Sequence, residues 1–223
     1  APGQQEFDFR FDEAMKAADS IQTFKLTVRS IARRYGMHAT FMPKPVTGIC
    51  GSGMHTNMSL FKDGCNVFWD PAQHDGLSTL AKSFIAGLMA HIRGMCAITN
   101  PLVNSYKRLV PGYEAPCYIA WSNRNRSPLI RIPDSRGTGT RIELRNPDPS
   151  CNPYLELALC LAAGLDGIRR NLLPPPPTDV NIYALSDADR ETLNIGSLPA
   201  SLEEALNEME KRSEERRVGK VWR

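Results

Sequence analysis

The sequence predicts an α+β domain. Stretches of helical periodicity are interspersed with short stretches in which polar and apolar residues alternate, and Asp63-Gly64 lies between two of the alternating ones. Apolar residues recurring every three or four positions share one face of a helix, and those recurring every two share one face of a strand. Asp-Gly is a turn that folds a strand back antiparallel on its predecessor. At 223 residues the chain is long enough to bury a sizeable core, and its composition is that of an ordinary globular protein.

Taken in order, Glu6-Phe7-Asp8-Phe9-Arg10-Phe11 alternates and predicts a strand. Asp12 to Tyr35 predicts a core-packing helix, with Ala14, Ala17, Ala18, Ile21, Phe24, Val28, Ile31, Ala32 and Tyr35 on its apolar face, Asp12 to cap it and Gly36 to end it. His38 to Met42 predicts a short strand, closed by Pro43-Lys44-Pro45. The following loop has Gly48, Gly51 and Gly53 where backbone turns sharply or nears a ligand; no Gly-Lys-Ser/Thr follows, so it is not a P-loop. Met54 to Phe61 predicts a strand with His55, Asn57 and Ser59 on one face and Met54, Thr56, Met58 and Leu60 on the other, hairpinned to Cys65–Trp69.

Ser78 to Thr99 predicts a second helix with Phe84, Ile85, Leu88, Met89, Ile92, Met95 and Cys96 as its buried stripe, His91 as a structural neighbour, and Asn100-Pro101 as its stop. Cys117–Trp121 and Leu129–Ile132 predict strands flanking Asn123-Arg124-Asn125-Arg126, and Ser135–Gly139 a turn. Thr140–Arg145 predicts a strand with Arg141, Glu143 and Arg145 on one face and Ile142 and Leu144 on the other. Asn152-Pro153 caps and opens a helix to about Arg170, Pro174–Pro177 is a polyproline linker, and Ser201-Leu202-Glu203-Glu204 is a capping box for a last helix.

Composition narrows the function classes. The net charge is +3, but Lys211 to Arg223 holds six basic and two acidic residues, so the rest of the chain is slightly acidic. No aromatic-interleaved basic patch occurs elsewhere, which argues against nucleic-acid binding, and no apolar run has membrane-spanning length. The six cysteines form no CxxC pair and read as buried thiols of a reducing compartment; cytoplasmic residence is the expectation.

The chemistry concentrates between Asn100 and Arg145. Asn100–Pro116 holds three prolines, a glycine, two basic residues and one carboxylate with little periodicity, the makeup of a shaped loop carrying charge to a site. With the strings around Arg126, Arg131 and Arg141–Arg145 it contributes five arginines and two glutamates. Arginines clamp carboxylate and phosphate with paired hydrogen bonds, and histidine with carboxylates suits Mg²⁺ or Mn²⁺. Glu6, His55 and Glu143 are the candidate donors, expected to line one hollow ringed by Arg108, Arg126, Arg131 and Arg145. A metal and several arginines without a Ser-His or Cys-His pattern point to phosphoryl transfer.

Gly51-Ser52-Gly53-Met54-His55, Asn100–Pro116, Asn125-Arg126-Ser127 with Arg131, and Asn152–Leu155 running on to Ala162–Ile168 resemble type I glutamine synthetase, in order from Ala1 to about Glu210. The resemblance implies a catalytic-domain fold, a curved, largely antiparallel sheet packed by helices. It implies that residues 1–210 are part of that domain, without its N-terminal β-grasp domain and first metal-ligand strand, and that 211–223 is a non-family tail. The implied reaction joins ammonia to the γ-carboxylate of L-glutamate through γ-glutamyl phosphate, with ATP as co-substrate and two or more Mg²⁺ or Mn²⁺ ions, in a ring-type homo-oligomer. By resemblance Glu6 would hold one metal, and His55 and Glu143 another. Arg108, Arg145 and the Gly51 backbone would hold glutamate, with Glu114 and Arg126 the catalytic residues beside it. Arg126 and Arg131 would face the ATP phosphates, and Phe9, Arg10, Phe11, Asn57, Met58 and Ser59 the nucleotide. A chain lacking the upstream ligands is expected to have no turnover alone. The alternatives are a γ-glutamyl-polyamine or amine ligase of the same superfamily, and a non-catalytic ring-forming module.

Overall fold

The computed structural model describes residues 1–123 and 128–211. In chain order the elements are α1 (Ala14–Arg34), β1 (Thr56–Met58), β2 (Phe61–Lys62), β3 (Cys65–Asn66), α2 (Thr79–Thr99), α3 (Ser105–Arg108), β4 (Trp121–Ser122), β5 (Ile130–Arg131), β6 (Ile142–Leu144), α4 (Pro153–Arg169), α5 (Asp187–Thr192) and α6 (Leu202–Lys211). Helices pack on a mixed sheet of order β1-β6-β5-β4, antiparallel except for the parallel β4–β5 pair.

The core forms where α2 meets α4 and the sheet. The predicted stripe of α2 is buried except for the half-buried Met89, and Phe84, Leu88 and Ile92 share one cluster with Leu129, Ile130, Ile132, Ile142 and Leu144. The α2–α4 crossing is backbone-close because glycines lie at it: a Cβ on Gly87 would come 2.2 Å from the Ala163 carbonyl oxygen, and one on Gly167 2.2 Å from that of Ser83. His91 is buried here, 2.8 Å from Asp166. Helix starts follow their cap signals: Ser78 accepts from the Ala81 N–H, and Asn152 accepts from Tyr154 and Leu155, with Pro153 at the first helical position. Asp63 and Gly64, at φ 51° and 78°, make the hairpin between β2 and β3. Ser201 accepts from Glu204 N–H, but the Glu204 carboxylate accepts from Ala200 N–H, so the reciprocal arm of the capping box is displaced by one residue.

Several expectations are corrected. Residues 6–11 form no strand; Phe7 and Phe9 set their edges against Phe24 at 4.9 and 5.2 Å, while Phe11 is 90% exposed. Residues 38–42 also lack a ladder: Phe41 meets Phe24 and lies under the Arg29 guanidinium, and Met42 N–H turns to the Thr40 hydroxyl. Alternation places side chains, but a strand also needs a neighbour for its backbone. Residues 117–119 find theirs in 196–198, through Ile119 N–H to Gly196 O and Leu198 N–H to Cys117 O, as a single bridge rather than a strand to Trp121. The stretch 54–61 breaks into β1 and β2, and 65–69 pairs at β3 and, through Trp69, in a single antiparallel bridge to Leu77. In α1, Glu13 takes the cap position without a side-chain bond, and only Ala18 and Lys25 are buried, so the helix lies on the flank rather than in the core. Gly36, at φ 68°, ends it as expected. Cys50 and Cys65 are exposed, and the other four thiols are buried.

Candidate functional site

Glu143 is the centre of the site. The middle residue of β6, it is paired across the sheet with Asn57 of β1 and Arg131 of β5, and is 3% exposed. One carboxylate oxygen accepts from Arg131 Nε; the other lies 3.1 Å from His55 Nδ1 and 3.5 Å from an Arg145 terminal nitrogen. Burial opposes ionisation of Glu143, but the His55 hydrogen bond and the Arg145 and Arg131 charges outweigh it and hold the carboxyl below its ordinary pKa. The alternation expected from residue 54 to 60 holds here: His55, Asn57 and Ser59 are exposed, whereas Met54, Thr56, Met58 and Leu60 are half-buried. Arg141 donates from Nε to the Asn57 amide oxygen at 3.1 Å, on the same side.

The arginine wall continues through the loop after α2. The Arg108 guanidinium is buried and donates to the carbonyls of Asn146, at 2.7 Å, and Arg145, at 3.0 Å. Burial pushes its pKa down to about 10, with Arg145 lowering it further and Asp148 opposing. Arg145 is also lowered, first by burial, with the Glu143 charge opposing; its Nε is buried and has no hydrogen-bond partner among the described residues. Two glycines make room for this wall. A Cβ on Gly53 would lie 2.5 Å from an Arg108 nitrogen and 3.1 Å from His55 Nε2, and one on Gly51 would lie 2.2 Å from the Pro43 carbonyl and 3.3 Å from Arg108 Cγ. Glu114 stands exposed, close enough to Arg145 for its charge to raise the pKa of that residue.

Not every expected residue joins. Glu6 is exposed, and among the described residues no three His, Cys, Asp or Glu side chains gather as a metal site. The expected common hollow of Glu6, His55 and Glu143 therefore reduces to the last two, although Gln4 ties the same segment to the Gly51 carbonyl at 2.8 Å. Phe9 is held on Phe24, Arg10 and Phe11 are exposed, and Arg126 lies outside the described residues. A groove of about 660 Å³, lined by Lys25, Arg29, Arg33, His38, Cys151 and Asn152 among others, contains none of the expected site residues.

The donor chemistry fits a hard divalent ion in part. His55 nitrogen and Glu143 oxygen are suitable first ligands, and an ion such as Mg²⁺ draws its remaining oxygens from water and phosphate. The orphaned Arg145 Nε fits a carboxylate or phosphate oxygen.

The supports of the wall were not legible as site residues. Asn100 donates to Asn146 O and Asp148 Oδ2, and Asn146 donates to Thr99 and Asn100, so a buried amide network sets the two carbonyls that receive Arg108. Tyr183 donates to Ala115 O at 2.7 Å, bracing the loop that carries Glu114. Asn100 reads from sequence only as a helix stop, and no local pattern marks Asn146 or Tyr183.

Comparison with known proteins gives a family match over residues 1–218 to "Glutamine synthetase, catalytic domain". Glutamine synthetase from Clostridium saccharobutylicum is 61% identical over 94% of this chain and 47% of its own length, and that from Thermus thermophilus 60% identical over 95% and 47%. The Methanosarcina mazei glutamine synthetase is 61% identical over the same shares as the first. The solved GmaS/ADP complex superposes with a TM-score of 0.84 at 36% identity, covering 96% of this chain and 51% of that one. Apo GmaS gives 0.81 at 38%, covering 92% and 46%. The chain thus spans about half the length of the curated relatives it matches.

Proposed function

Because this chain belongs to the glutamine synthetase catalytic-domain family, we propose that it carries the glutamate-facing part of an ATP-dependent ligase that converts glutamate and ammonia to glutamine. The observation that carries the reading is the Glu143 cluster: a buried carboxylate shared by His55, Arg131 and Arg145, with Arg108 packed against Gly53 at its edge.

In this reading the γ-carboxylate oxygen of glutamate attacks the γ-phosphorus of ATP, ADP leaves, and ammonia then displaces phosphate from the acyl carbon. Arg145, whose Nε has a free bond to give, and Arg108 hold the glutamate carboxylates, with the Gly51 backbone alongside. Arg131 and Arg126 stabilise the charge that moves onto the phosphates. Glu114 is the exposed carboxylate that takes a proton from ammonium and covers the acyl phosphate, which survives only where water is excluded. Asn57, Met58 and Ser59, with Phe9, Arg10 and Phe11, face the nucleotide. A bound divalent ion, held by His55 and Glu143 with Glu6 on a second one, supplies charge neutralisation at the phosphates. The remaining ligands, a ring-type homo-oligomer and a cytoplasmic setting belong to the same reading; the six free thiols fit a reducing compartment.

The test is hydroxylamine trapping. With ATP, glutamate and Mn²⁺, a protein of relative length carrying this chain yields γ-glutamyl hydroxamate, and Glu143→Gln abolishes both the product and calorimetric Mn²⁺ binding at this site. Mn²⁺ binding indifferent to His55 and Glu143, together with no hydroxamate, sinks the reading. Putrescine outcompeting ammonia as acceptor would move it to the amine-ligase branch.

A further inference from the structure

We propose that Lys44 is a positioning residue that couples the glycine loop at 48–53 to the loop bearing Glu114, so that the two loops order together. Lys44 is 7% exposed, and among the described residues it has no carboxylate partner within ion-pair distance. Its ammonium instead lies 3.7 Å from the centroid of the Tyr113 ring and donates to the Ile49 carbonyl. Tyr113 precedes Glu114, and Ile49 stands two residues before Gly51, so one charge touches both loops.

The backbone of the same residue makes a second fastening. Lys44 N–H donates to the Asn104 amide oxygen at 2.8 Å, and the Asn104 amide donates back to Lys44 O at 3.0 Å. Asn104 opens α3, the turn of helix that ends at Arg108. One residue earlier, Pro43 O accepts from Ser52 N–H at 2.8 Å and closes the base of the glycine loop. Lys44 thus joins three segments: the one that leads to Arg108, the one that leads to Gly51 and Gly53, and the one that carries Glu114.

Burying an ammonium costs free energy, and a carbonyl with an aromatic face recovers only part of it. A methionine would fill the same volume without that cost. What the charge adds is a bond to each loop at once, with a direction that apolar packing lacks. That these loops flank a glutamate site rests on the function proposed above; the linkage stands on geometry alone.

The test needs no substrate, so failure of the ligase reading leaves it intact. Millisecond hydrogen exchange is measured on the 223-residue chain and its Lys44→Met, Lys44→Arg, Tyr113→Leu and Tyr113→Phe variants. Loss of the contact in Lys44→Met or Tyr113→Leu accelerates exchange in 110–115 and 48–53 together by about 2- to 30-fold, the range a cation–π contact supplies. Tyr113→Phe, which keeps the ring face, and Lys44→Arg, which keeps the charge, stay closer to the parent than their disruptive counterparts. Unchanged α2 exchange shows that each variant is folded. If Lys44→Met fails that control, the half-exposed Tyr113→Leu decides alone. Acceleration confined to the mutated loop, or parental rates at 110–115 in Tyr113→Leu, overturns the coupling.

Discussion

Glu156 shows how one buried side chain sets a pH dependence apart from the site. It lies on α4 with 0% exposure, in contact with Thr56 and Cys160, and one of its oxygens has no hydrogen-bond partner among the described residues. Burial pushes its pKa up to about 7, against partial relief from the Thr56 and Cys160 bonds. A raised folded pKa means that the folded state holds the proton more tightly. The group's contribution is fully present below the unfolded carboxyl value near 4.5 and is lost as pH rises through 7. At about 1.4 kcal/mol per unit, the ionised form costs on the order of 3 kcal/mol above neutrality. Urea midpoints at pH 5 and pH 8 should therefore fall more for the parent than for Glu156→Gln; parallel pH profiles would show that the carboxyl reaches water.

At the scale of elements, the α2–α4 contact is the joint on which the core depends. Gly87 and Gly167 are present because backbone occupies the space that a Cβ needs, and a carbonyl at 2.2 Å cannot swing aside as a side chain can. Gly87→Ala should force the helices apart and cost about 1–3 kcal/mol, the usual range for overpacking. Gly196→Ala is the matched control: its Cβ would meet Ile119 Cδ1 at 3.7 Å, ordinary contact, and its midpoint should move by less than about 0.5 kcal/mol. Equal losses at both positions would mean that the crossing is not close-packed. The same joint carries the site, since α4 underlies β1 through Thr56 and Glu156, while His55, just ahead of β1, meets the buried Glu143 of β6.

Across the whole molecule, order is uneven. The α2–α4–sheet body holds most of the fully buried side chains, whereas residues 7–46 expose Phe11, Met15, Leu26, Tyr35 and Met37. A helix with two buried residues has little tertiary packing to oppose local opening. Native-state hydrogen exchange should thus find central α1 amides opening at a lower free energy than those of α2, by several kcal/mol if α2 opens only with global unfolding. Identical protection in the two helices would refute that ordering.

Local chemistry by itself determined the four longest helices (α1, α2, α4 and α6), the caps of α2 and α4, the ends of α1, α2 and α4, the Asp63-Gly64 hairpin, the outward row of His55, Asn57 and Ser59, and, through several long motifs, the family. These are legible because period, cap and turn signals act within a few residues of chain. The tertiary structure alone decided that 6–11 and 38–42 run without a ladder, that β4 and β5 pair in parallel, and that 117–119 joins 196–198. It also decided that Arg108 is received by the carbonyls of 145 and 146, and that Lys44 meets Tyr113. Each of these depends on which distant backbone or side chain arrives as a partner, and no periodicity within a segment encodes the partner's address.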